Sequence, residues 1–459
     1  MKSQASNAFT TQQMVDREAD IAYVMHCIAD ADCCSIVGLS NMGKSTLLRS
    51  LALPQVSVQQ FGAEADRYLI VYVDFNLISQ ATEQGIYEVI LRNVLEALEA
   101  REIAPELKTA IGNAYQIVIT PDSPFRVPLA FEDSLKVILD QQPGLLVLLF
   151  DEFDEVFAEI EPRVFVRLRA LKDRYWPRLC YVTATGRPLA EIRHERQVGE
   201  FCELFAAHVR YLAPLSEADA RVLVQHWATR FHAPFTASDV DFIVACAGGH
   251  PSLLQATCRT VAKVKEEAIL RPSAINYERI REGLDSDANI RLECAKLWND
   301  LTATEQEALI ALLTQQQITA GLDTLMEKGV VYATASGRRV FSELFAGFAR
   351  RQQLVRRRGP RGIRIDVESG DVWVDGKLAP MLTDLEYKLL LLLYGNLDKI
   401  CDKYKIVESV WGENYIDEVD DARIEKLVSR LREKLEPNPA EPKYLQTIRG
   451  RGYKLVSPE

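Results

Sequence analysis

Nine consecutive residues, Gly38-Leu39-Ser40-Asn41-Met42-Gly43-Lys44-Ser45-Thr46, carry the residue types and spacing of an anion site. The apolar run Cys33 to Val37 precedes them and Leu47-Leu48 follows, which reads as strand, loop, helix. Glycines let the backbone turn tightly, so several N–H groups converge on one point ahead of a helix N-terminus, where the dipole also favours negative charge. Lys44 then reaches the terminal phosphates of a nucleotide and the Ser45 hydroxyl holds Mg²⁺, which is the P-loop pattern G-x-x-x-x-G-K-[ST]. The chemistry expected is binding of ATP or ADP with Mg²⁺ through Gly38, Ser40, Asn41, Met42, Gly43, Lys44, Ser45 and Thr46.

A second run, Leu145 to Phe150, is continuously apolar and ends in Asp151-Glu152-Phe153-Asp154. A parallel strand covered on both faces has that character, and it delivers its last residues to the sheet edge where α/β folds bind ligands. There Asp151 joins Ser45 in the Mg²⁺ shell, and Glu152 orients or deprotonates an attacking water, as in a Walker B motif with its catalytic acid. Cys180-Tyr-Val-Thr-Ala-Thr185 reads as another strand of the same sheet, so Thr183, Thr185 or Arg187 stands where it can touch a γ-phosphate. For Arg187 a surface ion pair is the alternative. Tyr68 to Asn76 and His208 to Leu212 supply two more strands and Gln84 to Ala100 a helix, giving an α/β core with a parallel sheet over residues 1–212.

Whole-chain properties frame these motifs. At 459 residues the chain exceeds a single core and typical domain sizes suggest about three or four domains. A hydrophobic content of 48% with 26% charged residues is that of an ordinary folded protein. No apolar run approaches the roughly 18 residues of a membrane helix, and Met1 to Thr11 is polar rather than basic then apolar, so a cytoplasmic protein without a membrane partner is expected. The nine cysteines are scattered without metal or redox spacing and are expected as reduced thiols.

The lead-in Met14-Val15-Asp16-Arg17-Glu18 resembles the apolar-Gly-Arg-x-x-Glu segment of AAA+ ATPases of the Orc and STAND types, which packs beside the adenine; Asp16 replaces the usual Gly. The resemblance implies that Arg17 lies at the nucleotide and that Arg187 is the γ-phosphate sensor. From Pro214 the pattern is helical only, with Ser216-Glu-Ala-Asp219 as a helix cap. Gly248-Gly249-His250-Pro251 then resembles the Gly-x-Pro signature of STAND lids, which implies that Pro251 contacts the base. A helical lid over 213–290 and a winged-helix-like coupling domain over 291–355 follow, the latter from a helix opening at Leu301–Glu305, a second at Gly321–Gly329 and a hairpin at Val330–Phe341. A basic Gly/Pro linker is placed at 356–361.

Residues 362–459 form the second strong signal. Net charge is −11, which by itself argues against nucleic acid, yet the distribution reverses that reading. Residues 1–355 carry the whole excess, while 423–454 holds nine basic and four acidic residues. Charge sorted in this way fits a DNA-facing surface. Short alternating strands come first, then helices over Leu382–Leu393, Lys403–Trp411 and about Ala422–Leu435, and last a hairpin with Arg449-Gly-Arg451-Gly at its tip.

This layout resembles the winged-helix effector domain of OmpR/PhoB-type response regulators. The likeness is closest in Leu382-Thr-Asp-Leu-Glu-Tyr387, Ile424 to Leu435 and Thr447-Ile-Arg-Gly-Arg-Gly-Tyr453. The family docks its third helix in the major groove and its wing in the minor groove. Ile424, Leu427, Val428, Leu431 and Leu435 recur at helical spacing and face inward, leaving Arg423, Lys426, Arg430 and Lys434 outward. Arg449 and Arg451 are the wing's candidates for double-stranded DNA.

The reading is a STAND-type signalling ATPase that regulates transcription. ATP favours an open, self-associating form, slow hydrolysis through Glu152 resets it, and the signal is an unidentified protein or small molecule. An Orc-like AAA+ initiator or remodelling motor is the alternative, with Arg193 or Arg196 as arginine finger.

Overall fold

The computed structural model describes residues 17–101, 105–141, 144–270, 276–317, 320–335, 337–357, 362–365, 372–380, 382–411 and 419–456. The chain divides into two compact units, Met1–Ala349 and Arg350–Glu459.

The first unit is built on five parallel strands, β1 Cys34–Val37, β2 Tyr68–Asp74, β3 Leu145–Asp151, β4 Leu179–Thr185 and β5 Val209–Tyr211, in the order β2-β3-β4-β1-β5. Every residue of β1, β3 and β4 is buried, which explains why these segments read as unbroken apolar runs rather than alternating ones. The helix Lys44–Leu51 leaves β1 through the glycine loop and buries Leu47, Leu48 and Leu51. Between β2 and β3 the chain adds Pro105–Ile119 and Arg126–Gln141, two helices that sequence reasoning does not assign. All five strands expected from sequence are present, and the fold class is an α/β P-loop core with a parallel sheet.

The carboxyl ends of β1, β3 and β4 lie side by side, so the glycine loop and the acidic turn meet at one sheet edge. That acidic turn is held from beneath. The helix Phe153–Glu159 sends Phe153 and Phe157 into an aromatic cluster, with Phe157 4.8 Å from Phe165 and 6.1 Å from Phe201 between ring centroids.

Helices Glu217–Arg230, Ala237–Ala247 and Pro251–Leu270 occupy the span expected for a lid, each started by a recognisable device. Ser216 accepts from the Asp219 N–H, Thr236 and Asp239 make a full capping box, and Pro251 sits at the first helical turn. The two glycines between the last pair are required by close approach. A Cβ on Gly248 would lie 2.1 Å from the Phe341 carbonyl oxygen, and one on Gly249 2.0 Å from that of Leu215. They bring the start of the helix Pro251–Leu270 against Leu215 and Phe341 instead of loosening a hinge.

The rest of the first unit has helices Ala288–Asn299, Ala303–Leu313 and Leu322–Glu327 and the hairpin β6 Val331–Thr334 with β7 Gly337–Val340. Glu305 closes a capping box with Thr302 and is ion-paired at 2.7 Å to Lys328, both side chains buried. A helix then runs from Glu343 to Arg357; residues 358–361 of the predicted linker lie outside the described residues.

The second unit starts with a three-stranded antiparallel sheet, β8 Ile363–Ile365, β9 Val372–Val374 and β10 Lys377–Leu378. Helices Asp384–Gly395, Lys403–Val410 and Asp421–Leu435 follow, and β11 Leu445–Ile448 with β12 Gly452–Leu455 forms the wing. Ile424, Leu427, Val428, Leu431 and Leu435 are all buried, as the helical spacing predicts.

Candidate nucleotide site and candidate nucleic-acid interface

The glycine loop adopts the backbone that its residues allow. Gly43 has φ +96° and Asn41 φ +56°; a Cβ at Gly43 would meet no atom within 4 Å, so conformation and not space requires glycine there. Gly38 donates its N–H to the Thr185 carbonyl of β4 at 3.0 Å. The Lys44 ammonium curls over the loop and donates to the carbonyls of Gly38 at 2.7 Å and Leu39 at 3.2 Å. Ser45 is half-buried and Thr46 exposed at the helix start.

Across the sheet edge, Asp151 is almost fully buried. Its Oδ2 accepts from the Tyr72 hydroxyl at 2.6 Å, while its Oδ1 has no hydrogen-bond partner. An orphaned, buried carboxylate oxygen is costly unless something supplies positive charge or a donor. Asp151 and the Ser45 hydroxyl therefore fit a Mg²⁺ shell, a set completed by phosphate oxygens and water. Among the described residues no cluster of three or more His, Cys, Asp or Glu could hold a metal ion without such outside ligands.

Glu152 follows with a left-handed backbone, φ +53°, which turns it away from the strand. Desolvation, and then the charge of Asp151, pushes its carboxyl above the ordinary range, against the pull of Lys44. That is the direction a group working as a base requires. Asp154, unassigned by sequence, accepts the Gly186 N–H at 2.8 Å and so ties the acidic turn to the end of β4.

The three γ-phosphate candidates separate cleanly. Thr183 is buried with its hydroxyl on Ser35 Oγ at 3.1 Å, and the Thr185 hydroxyl is spent on the Arg187 carbonyl at 2.7 Å. Both are fully buried in this sheet. Arg187 is exposed at this edge, and its charge acts on Asp154.

Arg17 reaches the loop from the other side, donating to the Met42 carbonyl at 2.8 Å and to the Ala213 carbonyl at 2.6 Å. It thereby joins the loop to the start of the lid, with Asp20 at 3.3 Å on the same guanidinium. Arg17, Thr46, Leu215, Trp227, Pro251 and Gln255 line one cavity beside the helix N-terminus. Met14 to Asp16 lie outside the described residues.

His250 gives no motif signal yet occupies a central place. It is fully buried, with Nε2 3.0 Å from the Ser40 carbonyl oxygen and Nδ1 accepting the Leu253 N–H at 3.3 Å. These partners fix the neutral tautomer with the proton on Nε2. Burial drives its pKa down to about 4. The loop also meets two acids from the helix Ala288–Asn299 and its C-cap. Asp300 accepts the Ser40 N–H at 2.6 Å and the Ser40 hydroxyl at 3.1 Å, and Glu293 accepts from Asn41 Nδ2 at 2.6 Å. Glu293 and Asp300 lie more than 250 residues from the loop in sequence, and nothing local marks them.

Arg193, a finger candidate in the motor reading, is engaged internally with the Phe157 and Ile160 carbonyls and Glu195. Arg196 is exposed.

In the second unit, Arg423, Lys426 and Arg430 are exposed along one side of the helix Asp421–Leu435, and Arg449 and Arg451 at the wing. None of these five side chains is ion-paired among the described residues. Lys434 corrects the sequence expectation: it is half-buried and ion-paired at 2.6 Å to Glu386, so it does not belong to the outward face. The reason is geometric. One turn beyond Arg430, the helix passes the capping box in which Glu386 caps Thr383, and the ammonium is drawn to that buried carboxylate. Arg432, which sequence did not single out, holds the wing by donating to the Leu445 carbonyl at 2.7 Å and to the Thr447 hydroxyl at 2.8 Å.

Residues 379–455 match the family described as "Transcriptional regulatory protein, C terminal". Residues 11–116 match "Bacterial TniB protein". The chain is 40% identical over 94 residues, 20% of its length, to the uncharacterized transcriptional regulatory protein YcbL of Bacillus subtilis (strain 168), and the match spans 40% of that protein. Among solved structures, a Walker-type ATPase of Pyrococcus abyssi is 10% identical with a TM-score of 0.47, covering 74% of this chain and 97% of that one. The DNA-binding domain of Klebsiella pneumoniae RstA, in complex with the RstA box, is 27% identical with a TM-score of 0.19, covering 21% of this chain and 91% of that one.

Proposed function

We propose that the chain is an ATP-dependent signalling switch of the STAND type that acts as a DNA-binding transcription regulator. The observation that carries the reading is the hydrogen bond from His250 to the Ser40 carbonyl. It places the start of the lid helix Pro251–Leu270 on the phosphate loop itself, so that what the loop holds bears directly on the lid. Lys44 and the loop N–H groups bind the phosphates, Ser45 and Asp151 hold Mg²⁺, and Arg17 and Pro251 border the base. Arg187 senses the terminal phosphate and Glu152 takes the proton of an attacking water. Bound Mg²⁺ supplies positive charge that neutralises phosphate oxygens.

The likeness of residues 379–455 to the C-terminal part of transcriptional regulatory proteins, with the exposed Arg423, Lys426, Arg430, Arg449 and Arg451, supports double-stranded DNA as the partner of the second unit. ATP then favours a form that self-associates and sets several effector domains on repeated half-sites, raising avidity through effective concentration. The internal engagement of Arg193 weighs against a motor that needs it as an arginine finger.

The test compares purified protein without nucleotide, with ADP, and with a non-hydrolysable ATP analogue. Oligomer size is read by light scattering and affinity is measured for DNA sites recovered by genome-wide mapping. The expected outcome is larger assemblies and tighter DNA binding with the analogue, and no nucleotide response in Lys44→Ala. Equal affinity in all three states would end the switch reading.

A further inference from the structure

We propose that Asp300 determines nucleotide specificity at the P-loop: its carboxylate takes the donors that the terminal phosphate of a nucleoside triphosphate requires, and so favours a diphosphate. The inference rests on the nucleotide reading above and deepens it.

The position follows from one peptide group. The carbonyl of Leu39 accepts from the Lys44 ammonium, and the N–H of the same peptide, that of Ser40, is donated to Asp300 Oδ2 at 2.6 Å. The lysine of this motif is the group that reaches the outer phosphates. The N–H of that peptide points away from its carbonyl, so Asp300 lies across the loop backbone from the Lys44 ammonium, and Ser40, three residues ahead of Gly43, sets it at the strand end of the loop, away from the helix N-terminus at Lys44–Thr46 where the inner phosphates are cradled. The Ser40 hydroxyl, at 3.1 Å from Oδ1, makes the grip two-pronged. A carboxylate held by two donors in a loop built for anions occupies the role of an anionic ligand.

Asp300 is not a loose surface acid. It C-caps the helix Ala288–Asn299 through its own N–H to the Lys296 carbonyl at 3.0 Å, and the capping box of Thr302 and Glu305 begins two residues later. Glu293, two turns earlier on the same helix, accepts from Asn41 at 2.6 Å, so consecutive loop residues are held by acids from one helix. A terminal phosphate entering here meets a fixed negative charge and must take its donors. A diphosphate, which stops short of Ser40, does not. The domain that carries Asp300 is thus retained by ADP and displaced by a triphosphate.

The experiment uses the full chain and measures dissociation constants for Mg·ADP and the Mg complex of β,γ-imido-ATP by calorimetry, in wild type, Asp300→Asn and Asp300→Ala. Asp300→Asn keeps the shape and an acceptor oxygen while removing the charge, so it remains informative where the alanine variant is unstable. The expected result is wild-type preference for ADP of tenfold or more, narrowed at least tenfold in both variants, with ADP affinity changed less than threefold. A merely structural cap would weaken both nucleotides alike. An unchanged ratio with both nucleotides still binding overturns the inference and leaves the nucleotide site standing. No binding of either nucleotide to wild type or variants removes the nucleotide reading and this inference with it.

Discussion

The two candidate anion-binding regions of this molecule are prepared in opposite ways. At the P-loop, the Ser40 N–H, the Lys44 ammonium and the Asn41 amide all have protein partners, supplied by Asp300, two loop carbonyls and Glu293. On the second unit, Arg423, Lys426, Arg430, Arg449 and Arg451 stand exposed without ion pairs among the described residues. A phosphate that used the Ser40 N–H or the Asn41 amide would have to displace Asp300 or Glu293, which would couple binding there to rearrangement. A phosphate reaching the second displaces only water and counterions. On the proposed reading, the first region would serve switching and the second adhesion.

The largest effect should come from the open face. Replacing Lys426, Arg430 and Arg451 together by Ala should weaken specific DNA binding by about 100-fold or more, since each base or phosphate contact is worth roughly 1–3 kcal/mol. The slope of affinity against salt should fall as well, and a gel-shift series at several salt concentrations measures both. Unchanged affinity and slope would mean that this face meets something other than DNA.

His250 sharpens the contrast, because it is a buried group on the guarded side. Its ordinary pKa is 6.5, and burial lowers it to about 4 in the fold. Below pH 6.5 the unfolded chain takes up a proton that the folded chain refuses until pH 4, so stability falls progressively as pH drops across that window. The loss attributable to this group is about 3 kcal/mol. Urea midpoints measured from pH 7.5 to 4.5 should decline more steeply in wild type than in His250→Asn; parallel curves would show that the imidazole is not held neutral.

Lys44→Ala removes the one cation of the guarded loop. Loss of a charge-assisted hydrogen bond to phosphate should cost roughly 1.5–3 kcal/mol, or about 10- to 100-fold in nucleotide affinity by calorimetry. With two of its three donors on the Gly38 and Leu39 carbonyls, the ammonium keeps one for a phosphate without breaking either bond. Nucleotide affinity equal to wild type would place the phosphates elsewhere.

How much of this was legible in sequence depends on whether the cause is local. Gly38 to Thr46, the run into Asp151 and the inward stripe of Ile424, Leu427, Val428, Leu431 and Leu435 each declare themselves within a dozen residues, because turn geometry and helical period are local properties. Asp300 and Glu293 could not be found that way. They are ordinary acids at a helix end and on a helix face, and only the fold brings them to Ser40 and Asn41. His250 was visible only as the residue before a helix-starting Pro. Thr183 and Thr185 show what a polar strand end leaves open: both hydroxyls have partners inside the protein that the strand pattern does not reveal.

Lys434 gives the smallest expected effect and the finest test of the contrast, because helical spacing groups it with Arg423, Lys426 and Arg430 while its environment resembles the guarded loop. Burial alone would raise the Glu386 carboxyl, but the Lys434 ammonium and the groups of Thr383 outweigh it and hold the carboxyl below its ordinary value. A carboxylate lowered in this way stabilises the fold above its unfolded pKa, and the contribution is lost as pH falls through the folded value. Lys434→Ala leaves Glu386 buried at 3% exposure without its cation, while the lysine itself is 26% exposed, so solvent screening limits the cost to about 1–2 kcal/mol. The second unit should melt earlier at pH 7, and the difference from wild type should shrink in acid, where Glu386 is protonated in both. DNA affinity of the folded protein should change less than twofold, in contrast to Arg430→Ala one turn away. A Lys434→Ala variant that keeps its stability but loses DNA affinity would return this residue to the open face and move the boundary between the two kinds of site by a full helical turn.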